Sequence, residues 1–199
     1  MILRDGIWFP DSDTHFPATA RAYQRQIYAA GMLRVRSPSS IAIDAGAHVG
    51  LFTRRMAVDF PLVLAFEPDP DNYACLVKNL AGADNTTLYF GALGAAPGQG
   101  SLRIDAAHNS GARGVVPGAE GGVRICTIDV AASGHKVGLV KIDTQGSEYD
   151  ILLGAREVLA RDRPVLIVEY PTEEIWRYLA SFGYRPDIQV NKDLVFVPS

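Results

Sequence analysis

The chain is 199 residues long, 48% hydrophobic and 21% charged, with a formal net charge of −3. This is the composition of one soluble globular domain with a full core, and it provides no general electrostatic footprint for nucleic acid. No run approaches the roughly 18–20 apolar residues of a membrane span, Met1 to Asp5 lacks the apolar centre of a signal peptide, and Cys75 and Cys126 stand alone without metal-type spacing. Two isolated thiols read as buried groups in a reducing compartment, so a cytoplasmic protein without a membrane partner is expected. A local basic patch could form from Arg21, Arg25, Arg34 and Arg36.

In chain order, residues 1–16 read as a short extended or looped lead-in carrying Trp8, Phe9 and Phe16. Pro17 sits where a helix can begin, and Ala20, Tyr23, Ile27 and Ala30 mark one face to about Gly31. Pro38-Ser39-Ser40 is a loop. Strand 41–45 then leads into a helix with Val49, Phe52 and Met56 on one side. Strand 62–66 is followed by Glu67-Pro68-Asp69-Pro70, where Asp69 can cap the next helix and Pro70 can take its first position. Tyr73, Leu76, Val77 and Leu80 repeat at helical spacing, and Thr86 to Gly91 is the third strand.

Residues 91–122 hold nine of the nineteen glycines. They read as a mobile loop or lid containing one short strand, Ser101 to Ile104. Val123 to Ile128 is expected as a strand at an edge, Gly138 to Asp143 as a buried strand, and Ser147 to Ala160 as one helix. Pro164 to Glu169 is a further buried strand and Thr172 to Phe182 a helix. The chain closes in a hairpin of 187–190 and 194–197, turned at Asn191-Lys192-Asp193. Alternating strands and helices predict a single α/β domain over residues 1–199: a doubly wound, mainly parallel Rossmann-like sheet with an antiparallel C-terminal hairpin. Residues 1–38 form its lead-in and helix, and 91–122 its glycine-rich loop or lid.

The strongest functional signal is Asp44-Ala45-Gly46-Ala47-His48-Val49-Gly50, an acid at the end of a buried strand followed by a glycine turn into a helix. Gly46 permits close backbone approach and unusual φ, and the helix start offers unpaired N–H groups. Glu67, about 20 residues on, is placed for ribose hydroxyls. Gly-x-x-x-Gly is not the dinucleotide fingerprint, and Asp44 before the turn would repel a pyrophosphate. It suits a cationic nucleoside, and S-adenosylmethionine is an adenosine carrying a sulfonium and an ammonium. Asp44, Glu67 and Asp143 each end a strand, so all three would face the crevice at the carboxyl ends of the sheet.

On these residues the chain resembles the FkbM family of S-adenosylmethionine-dependent methyltransferases. The matching segments are 44–50, Phe66-Glu67-Pro68-Asp69, Lys141-Ile142-Asp143-Thr144-Gln145-Gly146-Ser147-Glu148 and Val168-Glu169, with the Asn109-Ser110-Gly111 turn and the Lys192-Asp193 hairpin. The resemblance implies methyl transfer to oxygen, on a hydroxyl of a sugar or a small metabolite. Many relatives carry Glu where this chain has Gln145, a neutral amide that hydrogen bonds but cannot act as a base.

Cofactor contacts are expected from Asp44, Gly46, Ala47, His48, Gly50, Glu67, Pro68, Leu93, Asp143 and Gln145. Asp44 would act directly or through the turn, and Ala92 would join Pro68 and Leu93 around the adenine. Asn109 and Ser110 would touch cofactor or acceptor. A hydroxyl nucleophile benefits from a base, and the candidates are Asp143, Glu148, His48 and His15. Glu148 could instead complement a helix start, where Ser147 and Asp150 form a possible capping box. No metal is expected, because no His/Asp/Glu spacing supports one. The rival classes are a nicotinamide-dependent oxidoreductase on a Rossmann fold and a non-catalytic cofactor-binding module. Nucleic acid as acceptor is disfavoured by the acidic charge.

Overall fold

The computed structural model describes the chain apart from residues 15–17, 38, 107–108 and 119, and for residues 18–23 it describes the backbone alone. The expected roles of Phe16 and Pro17 therefore lie outside the described residues, as do the side chains of Ala20, Arg21 and Tyr23.

The lead-in is an antiparallel hairpin of β1 (Ile2–Arg4) and β2 (Ile7–Phe9) rather than a loop. Asp5 and Gly6 turn it with φ of 50° and 76°. Asn79 ties it down, accepting from Trp8 N at 2.8 Å and donating to Trp8 O at 2.9 Å. Phe9 is fully buried in a cluster with Ile7, Val49 and Cys75. Helix α1 (Ala18–Met32) follows, and it packs closely on the main sheet. A Cβ at Gly31 would come within 2.8 Å of Ile167 Cδ1.

Next come β3 (Ile41–Ala45), α2 (Leu51–Asp59), β4 (Val63–Glu67), α3 (Pro70–Asn79) and β5 (Thr86–Phe90). The expected cap on α3 is present: the Asp69 side chain accepts from Asp71 N and Asn72 N at 3.0 and 2.9 Å. The glycine-rich stretch then departs from the loop expectation. It contains β6 (Ala92–Leu93), β7 (Gly98–Ile104) and β8 (Arg113–Pro117), which join β9 (Val123–Cys126) in a four-stranded sheet of order β6-β9-β7-β8. β9 is thus an interior strand. Glycine permits the close packing here, since a Cβ at Gly100 would meet Val116 O at 2.8 Å.

The remainder is α4 (Ile128–Ala131), β10 (Val137–Ile142), α5 (Glu148–Leu153), α6 (Arg156–Arg161), β11 (Val165–Glu169), α7 (Glu173–Ser181), β12 (Tyr184–Val190) and β13 (Asp193–Pro198). The single helix expected over 147–160 is two helices. A Cβ at Gly154 would lie 2.1 Å from Gly94 O, so the β6 backbone crowds this turn. Asp129 then caps α6 from outside, accepting from Glu157 N and Val158 N.

The main sheet runs β12-β13-β11-β10-β3-β4-β5. β11, β10, β3, β4 and β5 are parallel, and β12 and β13 close one edge antiparallel. Inward residues alternate between the two faces. Val140, Ile142, Leu166 and Val168 pack with Ile151, Leu159 and Leu179, whereas Leu139, Ile167 and Val195 pack with Ile27, Phe52 and Met56. Each such buried side chain stabilises by roughly 1.5–3 kcal/mol. The strand order reverses between β3 and β10, which opens a crevice at their carboxyl ends. Among the described residues no helix is long and apolar enough to cross a membrane.

Candidate active site

The turn after β3 cannot be built without glycine. Gly46 has φ 77°, and a Cβ there would lie 1.9 Å from Asp143 O. Gly46 N and Ala47 N donate to Phe66 O at 3.1 and 3.0 Å, anchoring the turn to β4. His48 N then donates to Glu67 Oε2 at 2.7 Å, and Asp69 N donates to Glu67 Oε1 at 2.9 Å. Burial nevertheless pushes the Glu67 carboxyl up to about 7, against these two bonds.

A cavity of about 490 Å³ lies over these carboxyl ends, a size that suits one small ligand. Gly46, Ala47, His48, Glu67, Pro68 and Leu93 line it, and so do Asn109, Ser110, Asp143 and Gln145. Glu67 on β4 and Asp143 after β10 stand on opposite sides of β3. Three buried polar atoms on its lining residues have no protein partner among the described residues: Gln24 Oε1, Asn72 Oδ1 and Arg113 Nε. Buried polar atoms are normally satisfied, so these three fit a polar ligand. The ribose hydroxyls and ammonium of S-adenosylmethionine supply such partners, and Pro68, Ala92 and Leu93 supply an apolar wall.

Three expected site residues do not line this cavity. Asp44 is fully buried beneath it, where it accepts from Thr53 Oγ1 at 2.7 Å and pairs with Lys141 Nζ at 3.5 Å. Its place beneath the turn, beside Lys141, suits the indirect role. Gly50 is the N-cap of α2 with φ 90°, and a Cβ there would also meet Leu76 and Leu80 side chains at 2.6 Å, so its requirement is backbone conformation together with packing. Glu148 folds back on its own loop and accepts from Thr144 N at 3.0 Å and from Gly146 N at 3.0–3.1 Å. It organises the loop after Asp143, whereas Ser147 makes no capping bond. His15 lies outside the described residues.

His48 presents a different obstacle to base catalysis. Its Nε2 is 2.5 Å from Ser110 Oγ, which donates to Asp13 Oδ2 at 2.6 Å. Burial pushes the imidazole down to about 4. The His48–Ser110–Asp13 chain therefore closes the glycine-rich segment and the lead-in over the turn, with the ring neutral.

Around Asp143 lies a mixed-charge cluster that the sequence reading did not assemble. Lys141 Nζ lies 3.4 Å from Asp143 Oδ2 and 3.1 Å from Gly46 O. Gln145 Nε2 donates to Glu169 Oε2 at 2.7 Å and to Asp143 Oδ1 at 3.3 Å. Lys192 pairs with Glu169. Burial opposes charge on Asp143, yet Lys141 and the shared hydrogen bond with Glu169 hold it below the usual carboxylate range. Burial and then the Asp143 charge push Glu169 up. The two carboxyls behave as a pair holding one proton. A signal for Glu169 was present: like Asp44, Glu67 and Asp143, it ends an apolar strand. Among the described residues no three His, Cys, Asp or Glu side chains group to hold a metal.

Residues 44–186 match the family model described as the methyltransferase FkbM domain. A search of curated proteins finds no match. Among solved structures, the chain is similar to a methyltransferase FkbM from Methylobacillus flagellatus KT, with TM-score 0.63 and 18% identity, over 88% of this chain and 47% of that one. It thus spans about half the length of that protein. It is also similar to precorrin 8w decarboxylase from Methanobacterium thermoautotrophicum (TM-score 0.56, 14% identity, 100% of both chains). A third is M. jannaschii TYW2, solved in complex with AdoMet (TM-score 0.55, 15% identity, 98% of this chain and 84% of that one). At these identities the structures carry the fold, which is that of class I methyltransferases. Nothing in these comparisons favours the nicotinamide reading. With the family model spanning the glycine turn and every strand of the crevice, the chain belongs to the FkbM methyltransferase domain family.

Proposed function

We propose that the chain transfers a methyl group from S-adenosylmethionine to a hydroxyl oxygen of a sugar or small metabolite. The observation that carries this reading is the single cavity reaching both Glu67 and Asp143 across the strand-order reversal. Glu67 accepts ribose hydroxyls with lone pairs left beyond its two backbone bonds. Asp143, held ionised, faces the cationic end. Bound S-adenosylmethionine supplies a sulfonium methyl, so that attack by the acceptor oxygen breaks the carbon–sulfur bond and leaves its electrons on a neutral thioether. The proton of that hydroxyl leaves to solvent as the ether forms, and Asp143, ionised beside Lys141, orients the hydroxyl by accepting its hydrogen bond. Gln145 bridges the Asp143 and Glu169 carboxyls and keeps them in register. The chain's part is then alignment of acceptor, methyl and sulfur.

Calorimetric titration with S-adenosylmethionine, S-adenosylhomocysteine and NAD tests this. Saturable binding of the first two and none of NAD is expected. NAD binding alone, or no binding by a folded protein, would overturn the reading.

A further inference from the structure

A second hollow, also of about 490 Å³, adjoins the first and shares Asn191 and Lys192 with it. Its other walls include Tyr170, Pro171, Trp176 and Gln189. We infer that this hollow is an acceptor subsite that holds a neutral carbohydrate ring next to the ring being methylated. The inference rests on the methyltransferase reading and assigns that site its acceptor.

Continuity comes first. Bound S-adenosylmethionine would take up much of a cavity sized for one small ligand, so the bulk of a larger acceptor would lie outside it. The second hollow is reached across Asn191 and Lys192, which line both.

The chemistry of the walls comes second. Tyr170 and Trp176 are 66% and 43% exposed, although large aromatic rings gain from burial. Both are held in place. Trp176 packs edge-on against Phe196 at 5.9 Å, and Tyr170 N donates to Lys192 O at 2.8 Å. Tyr170 has φ 43°, a conformation that bulky side-chain-bearing residues adopt rarely and that concentrates at ligand clamps. The amides of Gln189 and Asn191 offer donors and acceptors beside the rings. A flat aromatic next to amides matches a sugar, whose C–H face is apolar and whose edge is hydroxylated.

Charge selects against other ligands. No carboxylate lines the hollow, and its cation, Lys192, is already paired with Glu169. An anionic ligand would compete with Glu169 for that ammonium and would find no second cation on the lining. A second copy of the chain is a poor occupant, because seven lining residues fall far short of the roughly 20–30 per side of a standard interface.

The test uses the full chain saturated with S-adenosylhomocysteine, presented to an array of neutral and charged oligosaccharides. Each hit is then titrated against wild type, Tyr170→Ala, Trp176→Ala and Trp176→Phe. Retention of neutral glycans is expected, weakened at least about tenfold in both alanine variants, equivalent to about 1.4 kcal/mol, and largely restored in Trp176→Phe. Affinity for S-adenosylhomocysteine should stay within about twofold, since neither ring lines the cofactor cavity. Four results would overturn the subsite: no neutral glycan bound by protein that binds S-adenosylhomocysteine, hits confined to charged glycans, variants that bind like wild type, or a sedimenting dimer that the variants dissolve. Failure to bind S-adenosylhomocysteine itself would instead overturn the methyltransferase reading beneath it.

Discussion

Lys141 Nζ lies 3.5 Å from Asp44 Oδ1, and the two residues are direct partners in the parallel register of β10 and β3. The acid that ends β3 is therefore neutralised from the neighbouring strand. The same ammonium reaches Asp143 and Gly46 O, so one buried cation joins the floor of the turn to the acceptor side of the site. Burial disfavours its charge, yet Asp143, Asp44 and Glu169 raise its pKa above the ordinary value.

Removing that cation leaves Asp44 buried without compensation. Lys141→Met should cost about 3–5 kcal/mol, as expected when one partner of a buried pair is deleted. Chemical denaturation measures this. Adding Asp44→Asn to the same chain should recover part of the loss, and a double variant no more stable than Lys141→Met would count against the pairing.

Glu67→Ala should abolish cofactor binding while leaving the fold. The variant loses a charged acceptor, and hydrogen bonds to charged groups contribute about 1.5–3 kcal/mol each. Loss of two ribose bonds would thus weaken the Kd by at least about 100-fold. Far-ultraviolet circular dichroism checks the fold and calorimetry the affinity. A folded variant binding within a few-fold of wild type would remove Glu67 from the ribose site.

Burial pushes Glu67 up to about 7 from the ordinary 4.5, and Asp193 up to about 7 from 3.8. Across that window the folded chain binds more protons than the unfolded one, so these groups stabilise fully below about pH 4 and their contribution is lost as pH rises through about 7. Glu169 shifts in the same sense, His48, pushed down to about 4, opposes them only up to about 6.5, and Asp143 shifts downward and acts below the window. Ligand-free protein should accordingly show a lower urea midpoint at pH 7.5 than at pH 5. The stabilisation by S-adenosylmethionine should grow over the same interval, because ionised Glu67 is the better hydroxyl acceptor. A midpoint that rises with pH in the ligand-free protein would contradict the assignment.

Glu148 satisfies the N–H groups of Thr144 and Gly146. Glu148→Ala should therefore destabilise by about 1.5–3 kcal/mol, the loss of hydrogen bonds from partly exposed donors to a charged acceptor, and it should lower turnover by loosening the Asp143–Gln145 loop. Glu148→Gln retains an acceptor oxygen, so it should recover most of both. Its pH–rate profile should match wild type, and a lost ionisation in that profile would mark Glu148 as a base after all.

Periodicity and turn chemistry alone determined much of this protein. The parallel strands, the Asp69 cap on α3, the glycine turn and the terminal hairpin all follow from local patterns that the backbone cannot evade. The presence of Gly46, Glu67 and Asp143 at strand ends followed too, because a buried apolar run ending in an acid is visible in one dimension. Tertiary structure decided what local pattern cannot encode. It placed Lys141 against Asp44, buried Glu148 in its own loop, and brought Lys192 from the hairpin onto Glu169. It also paired β6 to β9 into a second sheet from a stretch whose glycines read as a loop, because those glycines serve close strand packing rather than freedom. Strand order is set by which faces must be buried together, and the partners of a charged side chain at the crevice depend on that order, so they appear only once the sheet is assembled.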